Sequence, residues 1–215
     1  MAERKRPRRT RERILETSLA LFNRLGEPHV TTADIANEMN ISPGNLYYHF
    51  RNKDEIIGEL YAAYEERVLP LLVLPADRAT DVEDLWLLLH LVFEQMWAYR
   101  FIYRDLDEIA SRNRRIAGRI GELLRRSETT VVELCAGMVA NGEMQATTAE
   151  IAAVARNVVV VSTYWMSFRR LTDLAPASES SIDLTAGAYQ VLALIAPFLA
   201  SGPRALFEKL GRDYL

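Results

Sequence analysis

The chain has 215 residues, a formal net charge of -3 and 49% hydrophobic residues. This length suits one sizeable core or a small domain joined to a larger one, and the composition excludes a disordered or fibrous chain. The single cysteine, Cys135, excludes an intrachain disulfide, and no charged-then-apolar leader with a cleavage site begins the sequence, so we expect a cytoplasmic protein.

The charge is distributed unevenly along the chain. Residues 1–13 carry seven basic and two acidic side chains, a net charge of +5, which leaves -8 for the remaining residues. Such a basic arm can reach along a DNA backbone or into a minor groove. It can equally be a solvated leader that adds only nonspecific attraction, and the sequence leaves both interpretations open.

The first predicted helix runs from Thr10, which can cap it, to Leu25, and Gly26 then stops it. Its apolar residues recur at three- and four-residue intervals, as on one face of a helix: Ile14, Leu15, Leu19, Phe22 and Leu25. We expect this helix to support the pair of helices that follows.

A short helix and a tight turn are predicted next. Thr31 and Asp34 form a capping-box pattern, so a helix should begin near Thr32. Asn40 stands where this helix must end, and Asn accepts the left-handed backbone conformation that often ends a helix. The pattern is that of the first helix and turn of a helix-turn-helix.

The second helix of the pair is predicted to begin at Pro43, with Ser42 as its N-cap. Leu46 and Phe50 share one face and can pack inward. The residues that then point outward or sideways are Gly44, Asn45, Tyr47, Tyr48 and His49. A globular domain gains little by exposing such a set, so the pattern indicates a partner on this face.

A phosphate is the anion that this region suits best. Gly44 at the helix start allows close backbone approach and leaves N–H groups free for an anion. Lys53 follows a predicted N-cap, Asn52, and a cation in a first helical turn costs roughly 0.3–1 kcal/mol, which an external phosphate would offset. The alternative is that the tyrosines are half-buried and Lys53 is an ordinary surface lysine.

The run from Thr32 to Lys53, T-x-D-I-A followed by ISPGNLYYHF-x-x-K, resembles the DNA-binding signature of the TetR family of bacterial transcriptional regulators. The resemblance implies that Thr32 and Lys53 hold backbone phosphates, that residues 43–45 and His49 approach base edges, and that the two tyrosines contact phosphates or bases. The predicted DNA-contacting residues are Thr32, Ser42, Pro43, Gly44, Asn45, Tyr47, Tyr48, His49 and Lys53.

Two further features refine the resemblance. Met39-Asn40 stands where the family usually carries Ala-Gly, and we expect the turn to survive because Asn can adopt the same backbone. The segment YRFIYRDL at 99–106, the run GEPHVTTADIANEMNISPGNLYYHF at 26–50 and the terminal DYL at 213–215 are together similar to regulators of polyhydroxyalkanoate storage genes. That similarity implies an acyl thioester or a related acid as effector.

The rest of the chain predicts helices with no competing strand pattern, so the fold class is all-α: a three-helix helix-turn-helix domain at 1–53, followed by a larger effector-binding and dimerisation domain at 54–215. A fourth helix from Asp54 continues toward Pro70 and joins the two without a flexible linker. The later helices are predicted at about 81–99, 99–111, 112–141, 148–171, 181–200 and 203–213.

Two late segments admit other interpretations. The stretch 184–201 has no charged residue and is nearly long enough to span a bilayer, but burial against a partner subunit explains it better. The run Val158–Val161 resembles a strand, yet its flanks favour a helix. The family resemblance implies that the helices at about 148–171 and 181–200 form a four-helix homodimer interface. A dimer would place two recognition helices ~34–36 Å apart on a palindromic double-stranded DNA site.

An effector pocket is a further prediction. Trp86, His90, Phe93 and Trp97 are spaced four, three and four, so they share one helix face that suits an acyl or aromatic ligand. A core stripe with one hydrogen-bonded histidine explains the same spacing. The remaining candidates, which can add polar or aromatic contacts, are Tyr103, Asn157, Tyr164 and Trp165.

The sequence contains none of the common catalytic motifs, such as HExxH, GxSxG or a glycine-rich phosphate loop, and its three histidines lack metal-ligand spacing. We therefore expect no enzyme, metal or cofactor. The leading hypothesis is a homodimeric, ligand-responsive repressor. The alternatives are a DNA-bound adaptor whose large domain docks another protein and a purely structural helical dimer.

Overall fold

The computed structural model describes residues 7–172 and 182–211, and within these ranges the chain is helical and forms no β-sheet. The fold class predicted from the sequence is confirmed. The α-helices in chain order are α1 (Pro7–Leu25), α2 (Thr32–Glu38), α3 (Pro43–His49), α4 (Lys53–Val68), α5 (Val82–Ala98), α6 (Arg100–Arg104), α7 (Leu106–Arg112), α8 (Arg114–Ala140), α9 (Thr148–Thr172), α10 (Ile182–Ile195) and α11 (Ser201–Gly211).

Three local details differ from or extend the predictions. Helix α1 begins at Pro7 rather than at Thr10, since proline suits the first turn of a helix, where its missing N–H has no partner to lose. The run Val158–Val161 lies inside α9, as its flanks indicated. The single helix expected after Tyr99 is two, α6 and α7, because the backbone leaves helical geometry at Asp105. Residues 1–6 of the basic arm and the terminal DYL lie outside the described residues.

The chain divides into two compact units. The N-terminal unit comprises Met1–Glu66 and Tyr99–Gly118, and the C-terminal unit comprises Arg67–Ala98 and Arg119–Leu215. This division differs from the boundary at 53/54 expected from the sequence, because most of α4 and the whole of α6 and α7 pack with the helix-turn-helix. The chain therefore crosses between the units three times.

The core of the N-terminal unit explains why α6 belongs to it. Phe22 of α1 packs on Phe101 of α6, with ring centroids 5.3 Å apart. Tyr64 of α4 packs on Tyr99 and hydrogen-bonds through its hydroxyl to that of Tyr103. Burial raises the pKa of Tyr103 to about 12, so this phenol stays protonated at neutral pH. Aromatic packing thus fixes residues 99–103 onto both α1 and α4.

The C-terminal unit is built on α5, α8, α9 and α10. Gly187 of α10 sits against Trp165 of α9 and Phe93 of α5, where an added Cβ would lie 2.7 and 2.8 Å from their rings. The close approach therefore requires glycine. Helix α5 is anchored at its start, where the Val82 N–H donates to the Glu143 carboxylate over 2.9 Å.

Candidate nucleic-acid interface

The start of α2 is fixed by the predicted capping box. The Asp34 N–H donates to Thr31 Oγ1 over 3.2 Å, and the Thr31 N–H donates to Asp34 Oδ2 over 2.8 Å. Hydrogen bonds from the Thr31 side chain and backbone hold the pKa of the Asp34 carboxyl below its ordinary value. The box leaves Thr32 as the first helical residue, as the sequence predicted.

The turn between α2 and α3 depends on Asn40. Its φ of +52° makes it the one non-glycine residue with a left-handed backbone among those described. The Ile41 N–H then donates back to the Ala36 carbonyl over 3.0 Å, which closes the end of α2. The Met39-Asn40 departure from the family pattern therefore preserves the turn.

Helix α3 presents one buried and one exposed face. Ser42 caps it by accepting the Asn45 N–H over 3.2 Å, and both Leu46 and Phe50 are fully buried. On the opposite side, Tyr47 is 52% exposed and Tyr48 is 77% exposed. The remaining predicted contacts on this helix are exposed or half-buried: Ser42, Pro43, Gly44, Asn45 and His49. The alternative of half-buried tyrosines is therefore wrong.

The exposed face of α3 is joined to the start of α2. The hydroxyls of Thr32 and Tyr47 lie 3.0 Å apart and share a hydrogen bond. The Tyr48 and His49 rings meet edge to face, with centroids 5.1 Å apart. Around Gly44, a Cβ would find only Ser42 Oγ, at 4.0 Å, so the backbone there is open to a ligand. These features leave a preformed polar surface with free backbone at its centre.

Lys53 stands apart from the other predicted contacts. Asn52 caps α4 as expected, since its Oδ1 accepts the Glu55 N–H over 2.9 Å. The Lys53 ammonium, however, donates to the carbonyls of Glu27 and Val30, each over 3.0 Å, and lies 2.7 Å from Glu27 Oε1. The cation in the first turn of α4 thus has an internal counter-charge, which sequence reasoning missed.

Two other residues with a role at this surface were also missed. Arg11, assigned to the basic arm, lies in α1, where its guanidinium sits 4.8 Å from the centroid of the Phe50 ring and pairs with Glu59. Glu27 is fully buried although it is a charged residue in a short turn, between Gly26 and Pro28. No local pattern marks Glu27, because its partners come from distant parts of the chain.

The candidate effector residues divide between the two units. Tyr103 lies in the N-terminal unit, bonded to Tyr64, whereas the other seven lie in the C-terminal unit. Trp86 and His90 stack with centroids 5.2 Å apart, and His90 Nε2 lies 3.4 Å from Glu94 Oε1 on the helix surface. The stack therefore lies at the edge of the apolar face of α5 rather than in the protein core.

The remaining candidates divide between core and surface. Phe93 is buried, and its ring and that of Trp165 both lie against Gly187. Trp97 is half-buried, while Asn157 and Tyr164 are exposed on α9. The Trp86 indole N–H is buried and has no hydrogen-bond partner among the described residues. The structure thus stacks Trp86 with His90 and places Phe93 and Trp165 against the same glycine. Asn157 and Tyr164 belong to neither group.

A separate cavity of about 340 Å³ lies in the C-terminal unit, and none of the predicted effector residues lines it. It is lined by Val73, Leu74, Pro75, Arg78, Ala79, Thr80, Arg126, Glu133 and Gly137. Among the described residues, no group of three or more His, Cys, Asp or Glu side chains is arranged to hold a metal ion.

One described helix, α9, is long and apolar enough by length and composition to cross a membrane, with a mean hydropathy of 1.3 and 28% of the apolar window buried. The stretch 184–201 contributes only a shorter apolar segment, Ala186–Phe198. A core or interface helix of a soluble protein meets the same criterion, so α9 alone carries little weight for a membrane location.

A capped helix-turn-helix with an exposed α3, followed by a larger helical region, defines the chain as a helix-turn-helix transcriptional regulator. Two sequence profiles agree: the one described as "Bacterial regulatory proteins, tetR family" matches residues 14–60, and the one described as "Bacterial transcriptional repressor" matches residues 63–207. The chain belongs to the TetR family of bacterial transcriptional regulators.

Similar proteins agree with this assignment. The solved structure of a TetR-family transcriptional regulator from Marinobacter aquaeolei VT8 is 37% identical, with a TM-score of 0.85 over 95% of this chain and 98% of that one. The ketosteroid transcriptional regulator KstR2 of Mycobacterium tuberculosis shares the fold at 21% identity, with a TM-score of 0.64 over 89% of this chain and 96% of that one.

Among curated proteins, the probable acrEF/envCD operon repressor of Escherichia coli K12 is 36% identical over 53 residues, which are 25% of this chain and 24% of that protein. The chain spans about a quarter of the length of the curated relatives it matches. The shared part is therefore of the size of the DNA-binding region alone.

Proposed function

We propose that the protein is a cytoplasmic, ligand-responsive transcriptional repressor that binds a palindromic DNA operator as a homodimer. The observation that carries this proposal is the division of α3 into two faces. Leu46 and Phe50 are fully buried while Tyr47 and Tyr48 are 52% and 77% exposed, next to an open backbone at Gly44. Exposed aromatic and amide groups on a capped helix suit a groove lined by phosphates and base edges.

Within this proposal the predicted contacts have two roles. The Gly44 N–H at the start of α3 and the Thr32 and tyrosine hydroxyls contact phosphates, and Asn45 and His49 read base edges. Asn45 and His49 are four residues apart and so share one side of α3, next to Leu46, whose burial sets the side that faces away from DNA. Phosphate contacts fix the register of the helix, so the sequence preference falls to the base-reading pair.

Homodimer formation is supported by the exposed apolar residues of α9. Val160, Tyr164 and Phe168 are 50%, 46% and 56% exposed at four-residue intervals, so they share one face of the helix. Monomeric proteins rarely expose a contiguous apolar face of this kind. Pairing of α9 and α10 with their copies would bury it and would set the spacing of the two recognition helices.

The effector is proposed to be an acyl or aromatic small molecule that contacts the C-terminal unit near Trp86. The buried, unpartnered Trp86 N–H is a donor that a ligand carbonyl or carboxylate can satisfy. The name of the KstR2 relative, a ketosteroid regulator, is consistent with an apolar effector. A repressor role follows the description of the matched family and the name of the Escherichia coli relative.

DNA binding is tested with the purified protein and DNA from its own upstream intergenic region. Fluorescence anisotropy at several salt concentrations should give a sequence-selective, salt-sensitive complex, compared with scrambled DNA of the same length. Asn45→Ala and His49→Ala should reduce the preference for specific over scrambled DNA, and Asn37→Ala, the same change at an exposed position of α2, should not. Absence of a selective wild-type complex would refute the proposal.

The effector is tested independently by native mass spectrometry of the purified protein for retained small molecules. A retained acyl or aromatic compound should lower DNA affinity when added back. Retention of a protein in place of a small molecule, with a DNA complex that no compound alters, would favour the DNA-bound adaptor instead.

A further inference from the structure

Glu27 is a buried carboxylate that the DNA contacts proposed above do not use. Its side chain is fully buried, and it begins the turn that links α1 to α2, directly after Gly26 with its φ of +95°. Burying a lone carboxylate costs several kcal/mol, roughly, unless cations compensate it. The turn therefore contains a carboxylate that is costly to bury unless other groups of the protein stabilise it.

Two cations from different helices compensate Glu27. Lys53 Nζ, at the start of α4, lies 2.7 Å from Glu27 Oε1, and Arg112 Nη2, at the end of α7, lies 2.7 Å from Glu27 Oε2. Neither carboxylate oxygen has an aligned hydrogen bond among the described residues, so the contacts are ion pairs. Each oxygen has one cation, and the loss of either would leave a buried charge half-compensated.

The Lys53 ammonium is engaged by three oxygens of the turn 27–30. An ammonium carries three N–H groups. Lys53 donates two of them to the Glu27 and Val30 carbonyls, each over 3.0 Å, and forms an ion pair with Glu27 Oε1 at 2.7 Å. A phosphate ligand in this position would have to compete with these internal oxygens for the ammonium.

The acceptors of Lys53 bracket the turn that leads into α2. Glu27 and Val30 are its first and last residues, and the next residue, Thr31, caps α2. The Glu27 N–H donates to Asp105 Oδ2 over 2.9 Å. The turn is therefore held both through its carbonyl groups, by Lys53, and through a backbone amide, by Asp105. Every one of these contacts lies within the N-terminal unit.

We propose that Lys53 and Arg112 act on DNA binding indirectly, as positioning residues: through Glu27 they fix the turn 27–30 and with it the start of α2, and Lys53 is not a phosphate ligand. This inference rests on the proposed function, since it assigns roles within the DNA-binding unit. It makes Arg112, far from the helix-turn-helix in sequence, a determinant of operator affinity.

The salt dependence of DNA binding separates the two roles of Lys53. Removing a phosphate ligand lowers the slope of log K against log salt concentration by about 0.9 per contact, and by about twice that in a dimer. For a positioning residue, Lys53→Met should weaken operator binding by about threefold to thirtyfold, the range for members of one ion-pair network, with the slope unchanged. A slope reduced by one unit or more would overturn the proposal.

The partners of Lys53 should behave alike. Glu27→Gln and Arg112→Met should also weaken operator binding without a change of slope, and Arg112→Lys should restore part of the loss. Arg114→Met removes the same charge from an exposed position two residues away and serves as the matched control, with affinity within about twofold of wild type. Equal losses in Arg112→Met and Arg114→Met would overturn the positioning role of Arg112.

A measurement without DNA distinguishes failure of this inference from failure of the proposed function. Hydrogen exchange of the amides at 31–36 should be faster in Glu27→Gln and Arg112→Lys than in the wild type or in Arg114→Met, because the start of α2 is less well held. Unchanged exchange in both variants overturns the inference even if operator binding is intact. Faster exchange supports it even if the wild type binds no operator, which refutes the proposed function alone.

Discussion

Thr32 Oγ1 and Tyr47 OH lie 3.0 Å apart, and this hydrogen bond joins the first residue of α2 to the middle of α3. Both residues belong to the surface proposed to meet DNA, and Tyr47 remains 52% exposed. The bond therefore holds two contacts of one phosphate-facing surface in a fixed relation before DNA arrives. Preorganisation of this kind lowers the cost of ordering side chains on binding.

A double-mutant cycle tests this link. Thr32→Val and Tyr47→Phe should each weaken operator binding, and the double variant should lose less than the two single losses combined, with a coupling of about 0.5–1.5 kcal/mol. Tyr48→Phe removes the hydroxyl of the neighbouring, 77% exposed tyrosine and should show no coupling to Thr32→Val. Fully additive losses at 32 and 47 would contradict preorganisation. Anisotropy titrations at one salt concentration measure all six affinities: the wild type, the three single variants and the two double variants.

The left-handed backbone at Asn40 leads to a second prediction. Asn40→Ala should lower the free energy of unfolding by about 1 kcal/mol, because at a φ of +52° alanine lacks the short polar side chain that lets asparagine tolerate a left-handed backbone through local hydrogen bonds. Asn40→Gly should be neutral or slightly stabilising. Asn37→Ala, inside α2, is the control and should not destabilise. Urea denaturation followed by circular dichroism measures each change, and a neutral Asn40→Ala would refute the strain argument.

These local features are the part of the molecule that the sequence predicted best. The capping box at Thr31, the turn at Asn40 and the cap at Ser42 depend on residues within a few positions of one another. Helix propensity and turn chemistry therefore suffice to predict them. The buried faces of α3 and the all-α fold follow from apolar periodicity in the same way.

The parts that the sequence did not predict depend on distant contacts. The positive charge of Lys53 indicated a nearby anion, and the chain itself supplies one in Glu27, 26 positions earlier. The division of the chain into units depends on equally distant contacts, such as that of Asp105 with the Glu27 backbone across 78 positions. Helical periodicity predicted that Trp86, His90 and Phe93 share one face of α5. It could not predict that Trp86 and His90 lie at the edge of that face, with Phe93 at its centre.

The close packing of Gly187 leads to a third prediction. Gly187→Ala should lower the free energy of unfolding by about 1–3 kcal/mol, because the new Cβ would meet the Trp165 and Phe93 rings at 2.7 and 2.8 Å. Gly58→Ala in α4 is the matched control, since nothing lies within 4 Å of its added Cβ, and it should stabilise by up to about 1 kcal/mol. Thermal denaturation of both variants measures the contrast. Equal unfolding midpoints for the two variants would contradict the prediction, because the interior of the C-terminal unit would then have accommodated the added methyl group without cost.

Cys135 leads to a prediction about pH. The thiol is fully buried, and burial raises its pKa to about 11. The unfolded thiol has a pKa of about 8.5, so this group's contribution to stability is present below about pH 8.5 and is lost as pH rises toward 11. The free energy of unfolding should therefore fall more steeply above pH 8.5 in the wild type than in Cys135→Ala.

The same burial predicts low thiol reactivity. At pH 8 the native protein should react with an aromatic disulfide reagent far more slowly than the protein unfolded in guanidinium chloride, because the thiolate is scarce and the sulfur is shielded. Rapid stoichiometric reaction of the native protein would contradict the buried, protonated state.

The apolar face of α9 gives the prediction with the widest consequence. Val160, Tyr164, Phe168 and Leu171 are all at least 46% exposed and follow one another at intervals of four, four and three. Val160→Glu or Phe168→Glu would bury a carboxylate in the proposed dimer interface, where an unpaired charge costs far more than the lost contact. Sedimentation equilibrium should then show a monomer where the wild type is a dimer.

Leu87→Glu is the control for this change. Leu87 is 49% exposed, comparable with Val160, but it belongs to α5 and not to the apolar series on α9, so the variant should stay dimeric. A palindromic site needs two recognition helices at a fixed spacing. The monomeric α9 variants should therefore lose operator affinity while their circular dichroism and half-site binding remain. A Phe168→Glu protein that stays dimeric with wild-type affinity would move the interface away from α9.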